Sequence, residues 1–252
     1  MRAITDSATM LRRQVKHIWR HPTLILTFAA VPVVFLLLFV YVFGGTMGAG
    51  IGAGRAAYVG YLVPGIMITT IMGAAQGTAI SVASDMSEGI IARFKTMAIA
   101  RVSVLTGHVL GAMVQTFLAI AMVGVVAALI GFRPSASVAG WLGVIGVLAV
   151  FTFAITWLAV ALALVSKSVT TASNLPMPLM LLPFLGSGFV PTDSMPDVLR
   201  WFAERQPVTP VIETLRALLA GRPAGSGLLE AAVWSAGIAL AGYLCARRLY
   251  NR

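Results

Sequence analysis

The chain has 252 residues, 59% of them hydrophobic and only 10% charged, with a formal net charge of +10. Soluble domains carry about 25% charged residues, so an ordinary soluble enzyme is excluded and an all-α integral membrane protein is indicated. The basic residues sit between long apolar runs, which argues against a nucleic-acid surface, and the one cysteine, Cys245, excludes an internal disulfide.

Residues 1–21 hold Arg2, Arg12, Arg13, Lys16 and Arg20 against Asp6 alone. Leu11, Val15 and Ile18 recur at helical spacing beside Trp19, so the segment predicts a basic helix lying in the headgroup layer and ended by Pro22. The rival readings are a cleaved signal peptide or, from Arg12–Arg13, a twin-arginine signal. The apolar run that follows, 24–43, is longer than the roughly 7–15 residues of a signal-peptide core.

Six apolar spans are expected, at 24–43, 58–83, 102–131, 139–165, 171–190 and 227–246. Each is long enough for a hydrocarbon layer of about 30 Å. A glycine-rich connection, 44–54, separates the first two. Short turns lie at 132–138, with Arg133 and Pro134, and at 166–170, with Lys167. The fifth span is interrupted by Pro176, Pro178 and Pro183, and the pairs Gly73/Gly77 and Gly107/Gly111 permit close helix packing.

Between spans two and three lies the charged stretch 84–101. Asp85 can cap a helix start there and Glu88 can reach back to it. Met86, Ile90, Phe94 and Met97 share one face, with Arg93 and Lys95 off it, so an amphipathic helix is expected over 85–100. The plainer alternative is a solvated loop with a surface helix.

The connection 191–225 mixes eight charges with apolar clusters, and Pro207 and Pro210 split it into two helices too short to cross a bilayer. A hairpin at or dipping into one membrane surface is expected. Twelve of the eighteen Lys and Arg residues fall on the side of the termini and six on the other, where four acids of the connection balance them. The positive-inside rule therefore puts both termini and the 85–100 helix in the cytoplasm and the hairpin outside.

The central parts of the spans carry no Asp, Glu, Lys or Arg. His108, near the cytoplasmic end of span three, is the single titratable candidate for a proton relay and reads more simply as an interfacial or packing residue. No G-x-x-x-x-G-K-[ST] loop, H-E-x-x-H or G-x-S-x-G motif occurs. An enzyme is therefore disfavoured, and uphill transport needs energy from a partner.

Two stretches carry a family resemblance: DMSEGIIARFKTMAIARVSVLTGHVLG, 85–111, and LPMPLMLLPFLGSGFVPTDSMPDVLRWFAERQPVTPVIETLRALLAG, 175–221. With the order of parts, they resemble the type-2 ABC transporter permeases over nearly the whole chain, treated as one transmembrane domain, 1–252. The likeness is nearest to the daunorubicin/doxorubicin-resistance permeases. Gln206–Pro207 stands where the family has an Asn-Pro-like step.

The resemblance implies a permease of a bacterial cytoplasmic membrane, without a nucleotide site or other cofactor of its own. Two cytoplasmic ABC ATPase subunits would hold the ATP and magnesium. Two permease copies, or this chain and a paralogue, would form the pore, with membrane lipid and no nucleic acid as the other contact. Asp85, Glu88, Gly89, Arg93, Phe94, Met97 and Arg101 would form the coupling helix that docks on the ATPase. The path would be apolar with sparse polar points at Thr69, Thr70, Gln76, Gln115 and Asn174, which suits an amphiphilic drug or lipid better than a sugar polymer. The competing expectation is a stand-alone proton-driven exporter that depends on His108.

Overall fold

The computed structural model describes residues 22–50, 54–88 and 101–250. Within them the chain is helical, with no strand. Helix α1 (Pro22–Leu38) runs through a π segment (Phe39–Phe43) into α2 (Gly44–Gly50). Then come α3 (Gly54–Ser87), α4 (Arg101–Leu129) and α5 (Val138–Val165). The short helices α6 (Val169–Asn174) and α7 (Met177–Leu181) follow. A 3-10 turn (Thr192–Ser194) precedes α8 (Asp197–Arg205) and α9 (Val208–Leu219), and α10 (Gly227–Tyr250) ends the described chain.

Among the described residues five helical stretches are long and apolar enough to cross a membrane: α1–α2, α3, α4, α5 and α10. The expected fifth span, 171–190, is not a sixth such helix. It breaks into α6, α7 and a run of turns, because Pro176, Pro178 and Pro183 each remove a backbone donor and clash with the turn before. The interfacial helix expected over 1–21 lies outside the described residues.

Other boundaries moved for local reasons. The glycine-rich segment continues as helix through Gly50. Gly44 and Gly48 are its buried residues, and one helical turn of small side chains lets α2 lie close against α3. Pro210 does not split the hairpin. It sits in the first turn of α9, where backbone N–H groups have no helical partner to lose; the break is at Gln206 and Pro207. Helix α10 extends to Tyr250, with Arg247 and Arg248 in its last turn opposite the negative end of the helix dipole.

Helix α3 is the hub. It is the most buried of the five crossing candidates and packs on α1, α2, α4, α5, α6, α7 and α9. At 34 residues it is about 51 Å long, so it outreaches the hydrocarbon layer. Two contacts bring backbones together without side chains between them. A Cβ on Gly65 would stand 2.3 Å from the Gly188 carbonyl oxygen, and one on Gly242 of α10 would stand 2.7 Å from the Leu158 nitrogen of α5. The expected packing glycine Gly73 is different: a Cβ there meets only Met180 Cε, at 4.0 Å.

Candidate functional site

A cavity of about 590 Å³ lies between α1, α3 and α7, within the roughly 300–1,000 Å³ of small-molecule sites. Val31 and Pro32 of α1 and Met180 of α7 form its apolar walls, and α3 lines it from Thr69 to Asp85. Of the polar points expected along a path, the structure brings Thr69, Thr70 and Gln76 together here. Gln115, half-buried on α4, and Asn174, exposed at the end of α6, do not line this cavity. Helical spacing identifies neighbours on one helix but does not say which face meets which partner.

The hydroxyls of Thr69 and Thr70 donate to Gly65 O at 2.9 Å and Ile66 O at 2.8 Å. This back-bonding lets a buried hydroxyl satisfy itself inside an apolar helix. Gln76 Nε2 donates to Ser173 O at 2.9 Å, so it both lines the cavity and ties α3 to α6.

At one end of the cavity is Asp85, and here the sequence expectation is corrected. Asp85 does not cap a new helix. Helix α3 runs on through Ser87, and Asp85 lies in its last turn. Ser87 Oγ donates to Ser84 O at 2.8 Å, Ser84 Oγ donates to Glu88 Oε1 at 3.1 Å, and Glu88 N donates to Ser84 O at 2.9 Å. These bonds finish helix α3. Asp85 Oδ2 instead meets His108 Nε2 of α4 at 3.0 Å, so His108 is not the isolated packing residue it resembles in the sequence. Gly89, Arg93, Phe94 and Met97 lie outside the described residues, and Arg101 opens α4.

A second group of residues, not apparent from motifs, satisfies the broken stretch. Prolines leave its carbonyls without helical donors, and neighbouring side chains supply them. Tyr61 Oη donates to Ser187 O at 2.9 Å and Tyr58 Oη to Phe189 O at 3.4 Å. Gln206 Nε2 donates to Leu182 O at 2.9 Å. Arg216 Nη2 donates to Ser187 O at 2.8 Å and to Tyr61 O at 3.1 Å, while its guanidinium stacks 3.6 Å from the Tyr61 ring centroid. Tyr61 lies one turn before Pro64, which stands inside α3. Phe184 and Phe189 stack at 4.2 Å, and Phe39 of the π segment packs on Phe189 at 4.7 Å. The signal was available: a proline-broken apolar stretch calls for donors on the helices around it.

A family profile described as ABC-2 type transporter matches residues 6–220. The chain belongs to the ABC-2 type transporter family. This ABC-2 permease is 26% identical over 242 residues to the daunorubicin resistance ABC transporter permease protein DrrB1 of Streptomyces coeruleorubidus, covering 92% of this chain and 81% of the relative. It is also 25% identical over 177 residues to the protein named "Probable doxorubicin resistance ABC transporter permease protein DrrC" of Mycobacterium tuberculosis, covering 70% of this chain and 64% of that one. ABC-2 permeases are membrane subunits, not enzymes, and typically work with an ABC ATPase. The family and the five apolar helices make this a multi-pass membrane protein.

Proposed function

We propose that the chain is the permease of an ATP-driven exporter that moves amphiphilic drugs or lipids out across the cytoplasmic membrane. The observation that carries this reading is the cavity of about 590 Å³ between α1, α3 and α7 in an ABC-2 family chain. Its lining surface is mostly apolar, with Thr69, Thr70, Gln76, Ser81, Ser84 and Asp85 as polar points, as a drug-sized amphiphile requires. The drug-resistance names of the relatives favour the same class of cargo.

In this reading the broken stretch 171–190 makes the sixth crossing and α8–α9 form an external hairpin. Backbone that is not helical is tolerated at membrane depth only where it is buried and its polar groups are met, and Tyr58, Tyr61, Gln76, Gln206 and Arg216 meet four of its carbonyls, those of Ser173, Leu182, Ser187 and Phe189. Both termini and the 85–100 segment face the cytoplasm. Two ATPase subunits, holding ATP and magnesium, dock on that segment of each of two permease copies, and Asp85 and Glu88 end the helix that receives their thrust.

Purification from native membranes in mild detergent tests the partner: an ATPase chain in about equal amount is expected. Drug accumulation in cells tests the coupling. Phe94→Asp is expected to abolish export while the chain still inserts, and full export by that variant would remove the coupling assignment. The Asp85–His108 contact also gives a proton-driven exporter a titratable pair to use. Export that persists without nucleotide and stops with His108→Gln would favour that second reading.

A further inference from the structure

We infer that Asp85 is the recognition point for the ammonium group of an amphiphilic organic cation, which takes the place that His108 occupies in this structure. This rests on reading the α1–α3–α7 cavity as the substrate site. Three observations lead to it. First, among the described residues Asp85 is the one ionisable side chain lining the cavity, and its carboxylate is partly open while its partner His108 is largely covered.

Second, three of the four hydroxyls lining the cavity have spent their hydrogens elsewhere. Thr69, Thr70 and Ser84 donate to Gly65 O, Ile66 O and Glu88 Oε1, and Gln76 donates to Ser173 O. What they offer a guest is chiefly acceptor lone pairs. A ligand that brings N–H donors and a positive charge matches that lining; an anion does not.

Third, Asp85 stands in the last turn of α3, where the helix dipole is itself negative and a carboxylate is disfavoured without a cation beside it. His108 Nε2, at 3.0 Å, answers that need in the empty cavity. A bound ammonium answers it too, with a positive charge and up to three donors. The apolar body of the guest then rests on Val31, Pro32 and Met180. Loading the site breaks the contact of Asp85 with His108 that joins the end of α3 to α4.

The test uses the full chain in phosphatidylcholine nanodiscs and two fluorescent probes, dansyl-pentylamine and its N-acetyl derivative. The two share size and apolar character and differ in charge. Wild type is expected to bind the amine at least about tenfold more tightly, the weight of one charge-assisted hydrogen bond. Asp85→Asn is expected to erase that preference while the N-acetyl probe stays within about twofold. His108→Gln is expected to tighten the amine, since it frees the carboxylate.

Equal binding of the two probes by wild type, or an amine preference that survives Asp85→Asn, overturns the inference. Gly73→Leu separates the two levels of the reading, because a side chain there projects toward Met180 and narrows the cavity between α3 and α7. If it blocks both probes while Asp85→Asn keeps the preference, only the cation assignment falls. If it blocks neither, the cavity itself is not the binding site and both readings fall.

Discussion

Arg216→Met is the perturbation that probes the fold most directly. The Arg216 side chain is only 11% exposed, yet it holds three elements: α9 on which it rides, α3 through Tyr61 O, and the broken stretch through Ser187 O. Its third bond, to Glu213 Oε1 at 2.6 Å, joins a carboxylate that is half exposed, and such a pair contributes little. The bonds to the two carbonyls are charge-assisted and sheltered, worth about 1.5–3 kcal/mol each. Removing the guanidinium relieves part of its own desolvation, which offsets some of that gain. A net loss of about 3 kcal/mol is expected, and at about 2–4 °C per kcal/mol for a chain of this size the midpoint falls by about 6–12 °C. The assay is fluorescence-detected size exclusion of the full chain in detergent after stepwise heating. Arg216→Lys keeps the charge but loses the fork and is expected to fall between. Arg222→Met, on an exposed residue beyond α9, is the control and is expected to change little. A midpoint for Arg216→Met within about 2 °C of wild type would refute the reasoning.

Gly65→Ala is expected to abolish folded protein, because the added methyl would stand 2.3 Å from Gly188 O and neither backbone has a side chain to move; the yield of monodisperse protein measures it. Gly73→Ala, with 4.0 Å of clearance to Met180 Cε, is expected to express and melt like wild type. Gly73→Leu is expected to remain folded but lose drug export, read as cellular accumulation. Cys245 is exposed near the end of α10; a membrane-impermeant maleimide is expected to label it in everted vesicles and not in intact cells, and labelling of intact cells would invert the proposed topology.

Much of the helical plan was legible because chain chemistry alone determines it. The fourth expected span, 139–165, differs from α5 by one residue, since the apolar run begins where Ser137 Oγ accepts a bond from Gly140 N at 3.1 Å. Legibility failed where one element completes another. Asp85 and Glu88 have the spacing of a helix start, but the apolar face of α3 carries the helix past Asp85 and ends it at Ser87. His108 looks solitary at 23 positions from Asp85 and becomes its partner only when α3 and α4 lie side by side. Gly44 and Gly48 resemble a loop until α3 provides the surface they fit. Gln76 was legible as a polar point in a span, but its bond to Ser173 O across 97 positions was not.

The donors that complete the broken stretch have a consequence for how the chain is made. Tyr58, Tyr61 and Gln76 precede residues 171–190 in the sequence, whereas Gln206 and Arg216 follow them. A ribosome delivers the stretch before two of its five donors exist. An unmet carbonyl in hydrocarbon costs several kcal/mol, so this segment cannot leave the translocon for lipid as a self-sufficient helix does. In the proposed topology it must wait, sheltered against α3, until α9 has been synthesised. Insertion is then not a series of independent helix releases. The last third would be assembled as one unit, and a chain cut short before Arg216 is expected to be degraded faster than the full chain in a pulse-chase.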